Sequence, residues 1–270
     1  MNQTINFRQI SGLFILCVML FFCFWRPYNP NSVYPEHSLE QPSAKHLFGT
    51  DRLGRDMYSR ISSAVQSSVL RAGIAALASF FTAFILAAVF ALYLRKYRKI
   101  ADLFRLVIRM LPPLLFLFGI VAWARENPFG EILSLFSLSF IFAWPVFSAE
   151  LELTLKQPYI QGTKALGASS FYILKNVTTP NVLPNLIKYA RLDFASLIAF
   201  EAFLGMGGLN KPPQPSLGAL IFESRYAIMS SQAWLFLFPS MILGSILLAI
   251  YFVPNLFKIK KGGSYGILGW

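Results

Sequence analysis

Few residues of this chain could do chemistry, and their spacing does not suit catalysis. Asp193 and Glu201 lie eight residues apart in the otherwise apolar run Leu186–Leu204, with Arg191 beside them. On a helix that spacing brings the two carboxylates near one face, while Arg191 points elsewhere. Ionisable groups inside a membrane span generally face the bundle interior, which makes Arg191 and Asp193 pore-facing candidates. The alternative is that the span starts later, leaving Lys188, Arg191 and Asp193 interfacial. Glu201, near the outer end, is expected to be interfacial. The two histidines, His37 and His46, and the two cysteines, Cys17 and Cys23, form no CxxC or HxxxH pair, so no metal site is expected. No phosphate-cradling loop, catalytic carboxylate pair or Ser-His arrangement occurs either. The chain is not expected to be an enzyme.

The elements that hold these residues belong in lipid. Of 270 residues, 56% are hydrophobic and only 13% charged, about half the charge of a soluble domain. The net charge of +12 does not point to nucleic acid. The basic residues sit in short clusters between apolar runs, as the positive-inside bias produces. With about 20 apolar residues needed per spanning helix, six candidates emerge: Gln9–Trp25, Ala72–Leu94, Leu106–Ala124, Ile132–Ala149, Leu186–Leu204 and Trp234–Val253. The first has no small-x-small cleavage signature after it and reads as an uncleaved helix. Pro112 and Pro113 predict a kink in the third. Placing the N-terminus in the cytoplasm puts the basic 95–105 loop, the 150–185 segment and the C-terminal tail on the same side. Both termini are then cytoplasmic and residues 30–65 are outside. The chain divides into 1–71 (first helix plus outer segment), 72–257 (membrane core) and 258–270 (basic tail).

Two long polar stretches are the candidates for function. In 150–185, Tyr159–Leu166 predicts a short helix stopped by Gly167, and Ser169 or Ser170 can cap a second one ending before Pro180. Such an elbow forms a rigid knob. In 46–60, Gly49 and Gly54 allow tight turns, and Asp51 or Asp56 can cap the helix that follows.

These stretches resemble one family. The 150–185 segment is similar to the EAA loop of bacterial ABC importer permeases. Ala165, Leu166, Gly167 and Pro180 match its pattern, while Gln161, Gly162 and Thr163 stand where Glu-Ala-Ala is usual. Small size is kept at 162 and 163, but the negative charge at 161 is not. The run with His46, Gly49, Thr50, Asp51, Gly54, Arg55, Asp56, Ser59 and Arg60 resembles the outer motif of the second, C-type, permease of peptide and nickel importers. Phe203–Gly207 and Lys211–Gly218 are similar to a third family motif, with Leu217 in place of a Trp.

The resemblance implies a polytopic all-α helix bundle like the type I ABC importer permeases. It implies a pore subunit in the bacterial inner membrane that binds no cofactor itself. ATP and Mg would be handled by two partner ABC ATPases, which dock on the 161–180 loop. The other implied partners are a homologous permease and a periplasmic or lipid-anchored solute-binding protein. Peptides are the expected cargo, with nickel, metal chelates or antimicrobial peptides as alternatives. An autonomous secondary transporter would predict more spans and an internal repeat.

Overall fold

The computed structural model describes residues 25–97, 129–208, 215–229 and 231–252, together with 102–103, 106–107, 110, 112 and 118–121. The first and third candidate spans therefore fall mostly or wholly outside the described residues. Among those described, the regular structure is helical: α1 (Met57–Leu92), α2 (Gly130–Leu155), α3 (Pro158–Ala165), α4 (Thr179–Met206), α5 (Leu217–Glu223) and α6 (Trp234–Phe252). Three of them, α1, α2 and α6, are long and apolar enough to cross a membrane. At 28 residues α4 is also long enough, but Lys188, Arg191, Asp193 and Glu201 keep it out of that apolar class.

The second candidate span begins fifteen residues earlier than hydropathy suggested, at Met57 rather than Ala72. The added stretch is rich in serine, and Ser59, Ser62 and Ser68 are all buried. Low hydropathy there marks an interior of small polar groups rather than a loop. At 1.5 Å per residue, α1 is about 54 Å long, well beyond a hydrocarbon core of about 30 Å. Its apolar part is the one the sequence delimits.

The second knob helix also differs from expectation. It does not end before Pro180. A turn at Ser170–Tyr172 passes into a π-type turn, Ile173–Thr178, and the chain runs on as α4. Proline has no N–H to give the regular ladder, and π-bulges and prolines are the usual causes of a local helix distortion. Here the wide turn sits directly before Pro180, and the Thr179 hydroxyl donates to the Leu174 carbonyl at 2.8 Å. The widening also rotates the faces. Leu174 and Thr178 are buried while Phe171, three residues before Leu174, is exposed.

The chain forms two compact units. One comprises Met1–Ile74 with Phe194–Pro254, the other Ala75–Asp193 with Asn255–Trp270. In the second, small residues of α1 (Ala83, Ala87) meet Trp144, Phe147 and Leu151 of α2 and Leu186 of α4. The Phe147 ring meets Phe80 and Tyr189 edge-on at 5.1 and 5.8 Å. In the first, Phe48 stacks on Phe238 at 4.1 Å. Gly205 and Gly218 bring the end of α4 against α5, since a Cβ on Gly218 would lie 1.6 Å from the Ala202 carbonyl oxygen.

Candidate functional site

The 46–60 motif folds as a knot of buried charge in front of α1. Gly49 and Gly54 take φ of +69° and +71°. Gly54 is doubly required, because a Cβ there would lie 1.7 Å from the Tyr34 carbonyl oxygen. These turns aim both aspartates inward. Asp56 is the helix cap, accepting from the Ser59 N–H at 2.8 Å, and its other oxygen meets His46 Nδ1 at 2.9 Å. Asp51 folds the turn instead. Its Oδ1 accepts from the N–H groups of Leu53 and Arg55, both at 2.9 Å. Its Oδ2 takes Arg55 Nε at 2.7 Å and the Arg60 guanidinium. Arg60 then reaches Glu223 at 2.9 Å. Thr50 accepts from the Glu40 N–H and donates to the His37 carbonyl.

Thus Asp51, Arg55, Arg60 and Glu223 form one ion-paired group, His46, Asp56 and Ser59 a second, and Thr50 ties the turn to residues 37–40. Buried charges persist when paired and hydrogen-bonded, and Asp51, Asp56 and Arg60 are each nearly inaccessible. Glu223 was not legible beforehand, since an acidic residue 163 positions from Arg60 carries no local signal. Beside the network lies a cleft of about 290 Å³ lined by Arg52, Arg55, Arg60, Leu220, Glu223 and Tyr226. The Arg52 guanidinium sits 3.1 Å above the Tyr226 ring, a cation–π contact.

The carboxylates of α4 form a separate cluster in each unit. Glu201 was expected at the interface, yet it is 0% exposed. It accepts from the Ser68 hydroxyl at 2.7 Å and pairs with Arg71. The expectation failed because Arg71 reads from sequence as the flank of a span rather than part of a helix interior. Asp193 accepts from the Ser139 hydroxyl at 2.6 Å, and the Ser79 hydroxyl lies 2.7 Å from Ser139. A hydroxyl has one proton, so Ser79 donates to Ser139, which donates to Asp193. Arg191 is half-buried.

The 158–180 knob is held differently. Pro158 opens α3 and Gly167, at φ +86°, closes it. A Cβ on Gly167 would meet nothing within 4 Å, so only the backbone conformation demands glycine. Ser169 accepts from the Tyr172 N–H at 3.2 Å and starts the next turn, so the cap is Ser169 rather than Ser170. Gly162 likewise faces open space, and the Thr163 hydroxyl donates to the Tyr159 carbonyl at 2.9 Å. Gln161 donates from Nε2 to the Leu155 carbonyl at 3.1 Å, at the end of α2. Leu166 is 90% exposed, and Tyr159, Phe171 and Tyr172 are exposed as well.

Residues 79–258 match the family described as "Binding-protein-dependent transport system inner membrane component". A Brucella suis biovar 1 protein named as a peptide permease is 30% identical over 93% of this chain and 85% of its own length. An Escherichia coli K12 protein named as a D,D-dipeptide transport system permease is 26% identical over 83% of this chain and 76% of its own. Among solved structures, a chain of the MetNI methionine ABC transporter in inward-facing form superposes with a TM-score of 0.58. It is 18% identical and covers 73% of this chain and 93% of that one. The fold is therefore that of the type I ABC importer permeases. With two thirds of its length matched to that description, this chain belongs to the family of inner-membrane components of binding-protein-dependent transport systems.

Proposed function

We propose that this permease subunit forms half of the pathway of an ATP-driven peptide importer, with the 158–180 knob as the dock for its ATPase. The peptide reading rests on the names of relatives that align over most of the chain. The docking reading rests on one observation above the others: a left-handed Gly167 beside a leucine that is 90% exposed. Tyr159, Phe171 and Tyr172 are exposed on the same knob, and a group of exposed apolar side chains supports a contact with a partner. In this reading both termini and the knob are cytoplasmic. The 46–60 motif faces outward, toward the solute-binding protein. Closure of two ATPases around ATP and Mg moves the knobs of this chain and of a homologous permease. That motion switches the pore between inward-facing and outward-facing states.

Substitution at Gly167 tests it. Valine at φ +86° is strained by more than the roughly 1 kcal/mol expected of alanine, whereas asparagine visits this region readily. At matched membrane abundance, Gly167→Val loses peptide uptake and ATPase co-purification, and Gly167→Asn retains most of both. Wild-type uptake and co-purification in Gly167→Val would remove the knob from coupling.

A further inference from the structure

His37 and His46 stand nine positions apart and form no HxxxH pair. The fold cancels that separation. The His37 and His46 rings lie 6.2 Å apart, centroid to centroid, and both line one cavity of about 120 Å³ with Tyr28, Tyr34, Lys45 and Asp56. Each ring is oriented by a carboxylate at Nδ1: Glu40 at 2.6 Å for His37 and Asp56 at 2.9 Å for His46. A ring whose Nδ1–H is donated to a carboxylate leaves Nε2 as a bare acceptor, which is the usual arrangement behind a metal-bound histidine. His46 is 5% exposed, and its Nε2 has no hydrogen-bond partner among the described residues. A buried acceptor without a partner costs stability unless something occupies it.

We propose that His37 and His46 form a divalent transition-metal site, a clip joining the 35–40 turn to the 43–46 turn ahead of the helix cap. Imidazole pairs suit Zn²⁺, Ni²⁺, Co²⁺ and Cu²⁺. Two imidazoles on one tetrahedral ion, with metal–nitrogen bonds of about 2.0–2.1 Å, place their ring centroids about 5 Å apart. The observed separation of 6.2 Å is about 1 Å wider, so binding requires the half-buried His37 ring to move inward. No group of three or more His, Cys, Asp or Glu side chains is placed to hold a metal among the described residues. The ion is therefore held by two protein nitrogens, with water completing its shell. Exposed Lys45 has a stem long enough to keep its ammonium in solvent.

The chain contains only these two histidines, so the test is clean. The full chain with its co-purifying partners carries a tag without histidine, in a Cys17→Ser, Cys23→Ser background that removes competing thiols. It is titrated with Co²⁺ by visible absorption and with Zn²⁺ by calorimetry. The expected result is one saturable ion per chain, with nitrogen-ligand absorption lost in both His37→Gln and His46→Gln. Removing the orienting carboxylate, Glu40→Gln, weakens affinity about 10–100-fold. His37 is partly exposed, so its variant stays informative even where His46→Gln fails to fold. Absence of saturable binding, or equal binding in His37→Gln, overturns the clip and leaves the cavity to water.

Discussion

The 46–60 motif and the 158–180 knob are both polar stretches between apolar runs, yet they are held in opposite ways. In the motif, buried side chains do the holding: Asp51 binds Arg55 and Arg60, and Asp56 binds His46 and the helix start. In the knob the backbone does it, through Pro158, the left-handed Gly167 and the Ser169 cap, while apolar side chains face out. The first pairs its buried carboxylates within its own chain. The second leaves its apolar surface for something else to cover. A region satisfied internally fails by unfolding when altered; a region finished by a partner fails by losing the partner.

That contrast can be broken by substitution, and the largest effect belongs to the motif. Asp51→Ala strips the carboxylate from two guanidiniums, one nearly inaccessible. Removing one member of a buried pair costs about 3–5 kcal/mol. Membrane abundance and thermal stability in detergent should fall sharply, with uptake lost in proportion to the missing protein. An Asp51→Ala chain of wild-type stability would show that the network does not hold the loop.

Two glycines with similar φ sharpen the comparison. Gly54 at +71° and Gly167 at +86° are equally left-handed, but only Gly54 has a carbonyl oxygen where Cβ would go. Gly54→Ala must move the Tyr34 backbone or break the turn, so abundance falls. Gly167→Ala adds only the conformational strain of about 1 kcal/mol, so abundance holds while ATPase co-purification weakens. Quantitative blots of membranes, paired with pull-down of the ATPase, separate the two. Equal losses of abundance at both positions would erase the distinction.

The extent to which sequence disclosed this architecture follows from range. The caps and turns were readable because Asp56, Gly54, Gly167 and Ser169 act on neighbours within a few residues. The apolar cores of α1, α2 and α6 were readable because lipid demands length and hydropathy. Contacts across the chain were not. Glu201 read as interfacial because Ser68 and Arg71, its partners, lie 130 or more positions away. The histidine pair was hidden for a milder version of the same reason. The π-type turn before Pro180 was missed because proline reads as a stop, whereas a widened turn lets the helix continue through it.

The smallest expected effect concerns Gln161, where the chain departs from its family's usual glutamate. Charge alone suggests that Gln161→Glu restores the standard knob and leaves transport intact or slightly improved. Geometry adds an opposing term. The Gln161 amide donates to the Leu155 carbonyl at 3.1 Å, and a carboxylate has no proton to give there. That bond is exposed, so its loss costs at most the roughly 0.5–1.5 kcal/mol of a typical hydrogen bond, with water as a ready substitute. A glutamate at this fourth position of α3 also gains little from the helix N-terminus, an effect that fades beyond the first turn. The two terms nearly cancel, and uptake by Gln161→Glu should stay within about twofold of wild type, since 0.4 kcal/mol is a factor of two. Gln161→Leu loses the donor without gaining the charge. Measuring uptake for both variants at matched abundance separates the terms. A large loss in Gln161→Glu with little loss in Gln161→Leu would mean that the partner groove repels a negative charge here. The absent glutamate would then be an adaptation to this chain's own ATPase.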